Sequence, residues 1–206
     1  MVAEAVAFSR SDDSSASQGR WTAGHGAAVE ATRYRVDLDG TLIDQVDFAE
    51  AVARLRAFLA SGVSRQVVTV NLDFLSLAER DPHFRDTINR ADLAVADGMP
   101  VVWLSRLMGQ PLPERIAGVE LVDACCRLAA ERGLGVYLLG AAPNVAKVAA
   151  RRMEALYPGL RVVGHYSPPF GQLQPQENQA IVRRIKQAAP AFLFVALGAP
   201  RQDLWI

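Results

Sequence analysis

An aspartate that closes an apolar segment is the first residue of this sequence whose setting suits catalysis. Asp97 follows Leu-Ala-Val-Ala and precedes Gly98. A carboxylate at the carboxyl end of a buried strand can face a pocket and accept a proton as a general base. The same position suits a carboxylate that caps a helix beginning at Met99, so both interpretations of Asp97 stay open.

Two further aspartates lie in Asp37-Leu-Asp39-Gly-Thr41, which matches the first motif of haloacid-dehalogenase-type phosphatases. In that class Asp37 would be the nucleophile and Asp39 the acid/base, and both would help to hold Mg²⁺. The residues before the motif make a poor buried strand, and we identify no downstream acidic pair to complete a Mg²⁺ site. The alternative is a structural turn at Gly40 between an entry strand and the first helix.

Two segments contain groups that could bind phosphate. Gly140-Ala-Ala-Pro-Asn144 joins a predicted strand to a predicted helix, where backbone N–H groups can receive an anion, although an ordinary turn also fits. Arg115 lies in a turn between predicted helices. Its guanidinium could brace a diphosphate or simply pair with Glu114.

Alternating strands and helices must position these residues. The patterns predict strands at 66–71, 92–97, 135–140, 161–166 and 191–197. They predict helices at 46–60, from 72 to about 80, between 82 and 91, and at 99–108, 118–132, 143–156 and 174–189. This alternation indicates an α/β fold, a Rossmann-like and mostly parallel sheet with helices on both faces.

Ligands of such sheets bind beyond the carboxyl ends of the strands. Polar residues and glycines follow five of the predicted strands, namely Thr69 and Asn71, Asp97 and Gly98, Gly140 and Asn144, residues 165–170, and residues 198–202. We therefore predict a ligand-binding site at this edge of the sheet. These residues alone do not identify the reaction.

The length of 206 residues suits one α/β domain at 34–206. Residues 1–33 are rich in small and polar side chains, so we expect a disordered tail there. Trp103, with Leu104 and Leu107, is expected in the core.

The composition excludes some classes of function. Basic and acidic residues balance at 22 each, which argues against a nucleic-acid binder held by a strong overall positive field. Cys125 and Cys126 are adjacent and lack metal-ligand spacing, so we expect a reduced, cytoplasmic interior. No apolar run reaches the length of a membrane-spanning helix. Peripheral membrane binding stays open.

Taken together, six motifs resemble the WecG/TagA/CpsF family, glycosyltransferase family 26, over residues 35–206 in the family's order. The motifs are Thr69-Val-Asn71, Ala91-Asp-Leu-Ala-Val-Ala-Asp97-Gly98, Gly109-Gln-Pro-Leu-Pro-Glu-Arg115-Ile-Ala-Gly118, Leu138-Leu-Gly140, Pro168-Pro-Phe-Gly171 and Leu197-Gly-Ala-Pro-Arg-Gln202. The resemblance implies inverting transfer of a sugar from a UDP donor to a polyprenyl-diphosphate-linked acceptor. It also implies cell-envelope or exopolysaccharide synthesis at the inner face of the cytoplasmic membrane, without a metal or other cofactor.

The resemblance also assigns roles to residues. Asp97 would be the general base, and Thr69 would help to place the sugar. Arg115 and Gln202 would contact the donor or its diphosphate. The remaining candidates for substrate binding are Asn71, Gly140 and Asn144.

Relatives continue beyond the position of Ile206 into a basic, membrane-proximal appendage, so we expect this chain to lack that segment. Two alternatives to the transferase stay open: a Mg²⁺-dependent phosphatase using Asp37 and Asp39, and a non-catalytic protein that binds nucleotide sugars. The formation of a homo-oligomer also stays open.

Overall fold

The computed structural model describes residues 5–8, 33–169, 171 and 173–206. Its strands are β1 Ala5–Phe8, β2 Arg35–Leu38, β3 Thr41–Asp44, β4 Gln66–Val70, β5 Leu93–Ala96, β6 Gly135–Gly140, β7 Arg161–Tyr166 and β8 Phe192–Ala196. Its helices are α1 Phe48–Ser61, α2 Leu72–Arg80, α3 Pro82–Arg90, α4 Met99–Leu107, α5 Gly118–Arg132, α6 Val145–Leu156, α7 Pro175–Ala188 and α8 Arg201–Trp205.

Six of these strands form one sheet in the order β5-β4-β1-β8-β6-β7. The pairs β4–β5, β6–β7 and β6–β8 are parallel, whereas β1 runs antiparallel between β4 and β8. Because β1 opposes both of its neighbours, β4 and β8 point the same way. The carboxyl ends of five strands therefore share one edge, which confirms the predicted mostly parallel, Rossmann-like sheet.

Helices cover both faces of the sheet because its strands alternate their buried side chains. Val67 packs with α1, α5 and α6, and its neighbour Val68 packs with α2, α3 and α4 on the opposite face. On β8, Phe194 contributes to the first of these layers, whereas Val195 packs with α7. The result is three layers with apolar cores on the two sides of the sheet.

The strand β1 lies within the stretch where we expected a disordered tail. Ala5–Phe8 pair with β4 and β8, so this part of 1–33 has regular structure. The run Ala-Val-Ala-Phe is apolar, and a central strand satisfies its backbone groups on both sides. Residues 1–4 and 9–32 lie outside the described residues, so the prediction of a tail stays untested there.

The strands β2 and β3 form a separate two-stranded hairpin, which is not part of the six-stranded sheet. Its turn contains Asp39 and Gly40, both with positive φ. The Asp37 carboxylate accepts a hydrogen bond from the Gly40 N–H at 2.6 Å. The predicted entry strand and the turn at Gly40 are therefore confirmed. The Asp37 side chain stabilises this turn.

The placement of α4 differs from the expectation for its apolar residues. Trp103 is 59% exposed and Leu107 is 86% exposed, while Leu104 is partly buried. The helix instead buries Val101 and Val102. The prediction of a core position for Trp103 and Leu107 was wrong because α4 is apolar on two sides, and apolar spacing alone does not show which side packs.

Candidate active site

The strand register places Thr69 and Asp97 on one face of the sheet. Thr69 is paired with Val95, and the N–H of Asp97 donates to the carbonyl oxygen of Val70 at 2.8 Å. Alternate residues of a strand share a face, so the side chains at positions 69, 95 and 97 project toward the layer that contains α5. Thr69 is buried and Asp97 is half-buried, at the carboxyl edge predicted for the site.

The Asp97 carboxylate is oriented by the beginning of α5. Its Oδ2 accepts a hydrogen bond from the Gly118 N–H at 3.1 Å. No hydrogen bond to its Oδ1 is found among the described residues, which leaves that atom available for a ligand. The capping interpretation of Asp97 was wrong, since α4 has Gly98 as its N-cap and no side-chain cap bond.

The segment before α5 crosses the end of β5. The Ile116 N–H donates to the carbonyl oxygen of Ala96 at 2.8 Å, which holds Arg115 beside this strand end. The Arg115 side chain is 36% exposed and pairs with Glu120 at 2.7 Å, not with Glu114. Glu120 lies in the first turn of α5, so the pair holds the guanidinium at the beginning of the helix while leaving part of it open to a ligand.

Asn71 and Gln202 lie at the site edge, but their amide oxygens already accept backbone hydrogen bonds. Asn71 caps α2 by accepting from the Phe74 N–H at 3.0 Å. Gln202 is 1% exposed, and its Oε1 accepts from the Gly198 N–H at 3.0 Å. These contacts give both residues a structural role at this edge.

The other half of the edge is built around Gly140. A Cβ at this position would lie 2.2 Å from the Ala196 carbonyl oxygen, so the close approach of β8 requires glycine. The Ser167 hydroxyl donates to the Gly140 carbonyl oxygen at 2.9 Å, which ties the end of β7 to β6. Asn144 is exposed, adopts a left-handed conformation with φ of 67°, and precedes α6.

A cavity of about 130 Å³ opens between α5 and α6 beside these strand ends. Val119, directly after the Gly118 that contacts Asp97, lines it together with Gly140, Ala146 and Ala196. This lining is apolar, so the cavity suits an apolar part of a ligand and not a phosphate.

Sequence reasoning assigned no role to Gly118 or Ser167, although both hold parts of the site. The signal for Gly118 is its position at the start of a predicted helix, where a backbone N–H has no partner within the helix. Ser167 stood within the predicted set at 165–170. Phe170 of that set lies outside the described residues.

The aspartates of the phosphatase-like motif are not part of this edge. Asp37 is exposed on the separate hairpin, and its backbone contacts the Gln110 side chain. Within the residues described, no group of three or more His, Cys, Asp or Glu side chains is placed to hold a metal ion. No described helix has both the length and the apolar character needed to cross a bilayer.

Comparison with known proteins identifies relatives of this chain. Residues 36–206 match the family model described as the glycosyl transferase WecG/TagA/CpsF family. The N-acetylglucosaminyldiphosphoundecaprenol N-acetyl-beta-D-mannosaminyltransferases of Staphylococcus aureus strains NCTC 8325 / PS 47 and COL are each 32% identical over 174 residues. The matched region is 84% of this chain, and the chain spans 66% of the length of these curated relatives.

Proposed function

The chain belongs to the WecG/TagA/CpsF family of glycosyl transferases, and from this premise we propose that it transfers a sugar from a UDP donor with inversion. The sugar is N-acetylmannosamine or a related hexose or uronic acid, and the acceptor is a polyprenyl-diphosphate-linked sugar. The names of the relatives specify a mannosaminyl group and an N-acetylglucosaminyldiphosphoundecaprenol acceptor, which supports both choices. The product would enter cell-envelope or exopolysaccharide synthesis at the inner face of the cytoplasmic membrane.

The observation that carries the proposal is the position of Asp97. Its carboxylate lies at the shared carboxyl edge, one oxygen is held by the Gly118 N–H, and the other has no partner among the described residues. A general base needs a fixed orientation and a free oxygen within reach of the proton that it accepts. The hydrogen bond from the Gly118 N–H, together with an Oδ1 that has no partner among the described residues, supports this role for the Asp97 carboxylate.

The proposed reaction proceeds in one displacement. Asp97 accepts the proton of the acceptor hydroxyl while the oxygen attacks the anomeric carbon of the donor. The bond from that carbon to the UDP oxygen breaks, and UDP leaves with the electron pair. Attack from the side opposite the leaving group inverts the anomeric configuration.

The remaining site residues would bind and orient the substrates. Arg115 would stabilise the negative charge that develops on the leaving diphosphate, because a partly exposed guanidinium is a strong donor to phosphate oxygens. Thr69 shares the sheet face of Asp97 and would help to position the sugar. Asn71, Gly140, Asn144 and Gln202 are the other proposed contacts at this edge.

The proposal is tested by the variant Asp97→Asn with UDP-N-acetylmannosamine and a short-chain N-acetylglucosamine-diphosphate lipid. We expect the transfer rate to fall by about two to four orders of magnitude, because an amide cannot accept the proton. Asp86→Asn, an exposed substitution on α3, is the matched control and should transfer as the unchanged protein does.

Two outcomes would contradict the proposal. Undiminished transfer by Asp97→Asn would remove Asp97 from the role of base. Donor binding in calorimetry without transfer by the unchanged protein would favour a non-catalytic protein that binds nucleotide sugars.

A further inference from the structure

An apolar stripe lies exposed along α4. Met99, Trp103 and Leu107 follow one another at intervals of four residues, so they share one side of the helix. Their exposed fractions are 38%, 59% and 86%. Soluble proteins rarely leave such a continuous apolar surface without a partner. The described part of the chain does not cover this surface, which we call the α4 stripe.

The charge of α4 indicates what kind of partner would fit. Its sequence, Met-Pro-Val-Val-Trp-Leu-Ser-Arg-Leu, contains one basic residue and no acidic residue. The basic residue, Arg106, is exposed and lies within about 60° of Trp103 around the helix. Tryptophan and arginine beside leucine and methionine suit the boundary between acyl chains and anionic headgroups.

The position of the α4 stripe links it to the candidate active site. The helix begins two residues after Asp97, so Met99 stands at the carboxyl edge of β5. Leu72, at the beginning of α2, is 46% exposed beside the end of the neighbouring strand β4. Exposed apolar side chains therefore flank the strand ends that hold Thr69 and Asp97.

We propose that the α4 stripe docks on an anionic lipid bilayer, with Met99 and the carboxyl edge of β5 beside the headgroups. The choice of lipid rests on the proposed function, because a polyprenyl-linked acceptor must keep its chain in the bilayer while its sugar reaches Asp97. A symmetric contact between two copies of α4 fits less well. It would bring two Arg106 side chains together without an acidic residue on either helix.

The test measures binding of the full chain to sedimenting vesicles, without donor or acceptor. We expect binding to vesicles of phosphatidylcholine with one quarter phosphatidylglycerol. The double variant Trp103→Ser/Leu107→Ser should reduce the partition coefficient at least tenfold, since both side chains lose their apolar contact with lipid. Arg106→Gln should weaken binding to these vesicles about fivefold and leave binding to pure phosphatidylcholine unchanged.

Leu156→Ser is the matched control, because Leu156 is 69% exposed on α6, which packs on the opposite face of the sheet from α4. It should bind vesicles as the unchanged protein does. Equal binding by the double variant, or no binding by the unchanged protein, would overturn the proposal. Sedimentation velocity gives a further contradicting outcome: an unchanged protein with the mass of two chains and a double variant with the mass of one. The stripe would then be the contact between two copies.

Transfer to a water-soluble acceptor separates this inference from the proposed function. The double variant should keep that rate within about twofold while losing transfer to a long-chain acceptor held in vesicles. Vesicle binding without any transfer would contradict the proposed function and leave the docking surface supported.

Discussion

At the scale of single residues, Asp44 fastens the hairpin β2–β3 to the rest of the domain. Its side chain is fully buried and accepts hydrogen bonds from Arg33 at 2.5 and 2.6 Å, and from Arg54 at 2.9 Å. It also accepts from the Ala94 N–H of the edge strand β5 at 2.8 Å. One carboxylate thereby joins the hairpin, α1 and the sheet edge.

We predict that Asp44→Asn lowers the free energy of unfolding by about 3 kcal/mol, because it leaves the partly buried guanidinium groups of Arg33 and Arg54 without their anion. Denaturation by urea, followed by circular dichroism, measures this difference. Glu131→Gln is the control, since Glu131 is about half exposed and 3.8 Å from Arg56. It should change stability by less than about 0.5 kcal/mol. Equal effects of the two substitutions would contradict the assigned role of Asp44.

At the scale of elements, the sequence correctly predicted the helices and strands whose beginning and end are marked by nearby residues. The helix 118–132 and the strand 135–140 agree with α5 and β6, because Gly133 ends the helix and an apolar strand follows it. The short strand β1 was missed because its pairing depends on β4 and β8, which are distant in sequence. The predicted helix 143–156 begins instead at Val145, after the left-handed Asn144.

The junction of β6 and β8 yields a prediction at this scale. We expect Gly140→Ala to lower the free energy of unfolding by about 3 kcal/mol or more. Its Cβ would lie 2.2 Å from the Ala196 carbonyl oxygen, and its φ of 109° is strained for any residue with a Cβ. Thermal and urea unfolding measure the loss.

Gly109→Ala is the matched control for this junction. Gly109 also has a positive φ, of 74°, but a Cβ there would meet nothing within 4 Å. Its cost should be only the conformational one, about 1 kcal/mol. If both glycine variants lost the same stability, the close approach of β8 would not be the reason for Gly140.

At the scale of the whole molecule, the position of the site was predictable but its contacts were not. Alternating strands and helices are sufficient to place Asp97 at a shared sheet edge. They do not show that Gln202 is buried or that Arg115 pairs with Glu120, because these contacts depend on how separate elements pack. The exposure of Trp103 depends in the same way on which side of α4 meets the sheet.

The reactivity of the two cysteines can show whether the layer formed by α1, α5 and α6 stays packed against the sheet. Cys125 and Cys126 are both fully buried there, although they are neighbours on α5, because this helix packs over a wide part of its surface. Burial raises the pKa of Cys125 well above its ordinary value and raises the pKa of Cys126 to about 12. The thiolate is the reactive form, so both residues should be inert in the folded protein.

We therefore predict that Ellman's reagent at pH 8 labels neither thiol in the native protein and labels both in concentrated guanidinium chloride. In intermediate denaturant, the labelled fraction should follow the global unfolding transition measured by circular dichroism, because exposure requires this layer to separate from the sheet. The variant Cys126→Ala should then label once, at the same denaturant concentration that unfolds it. Rapid labelling of one thiol under native conditions would instead mean that α5 opens locally, and the Gly118 N–H that orients Asp97 would then belong to a mobile helix end.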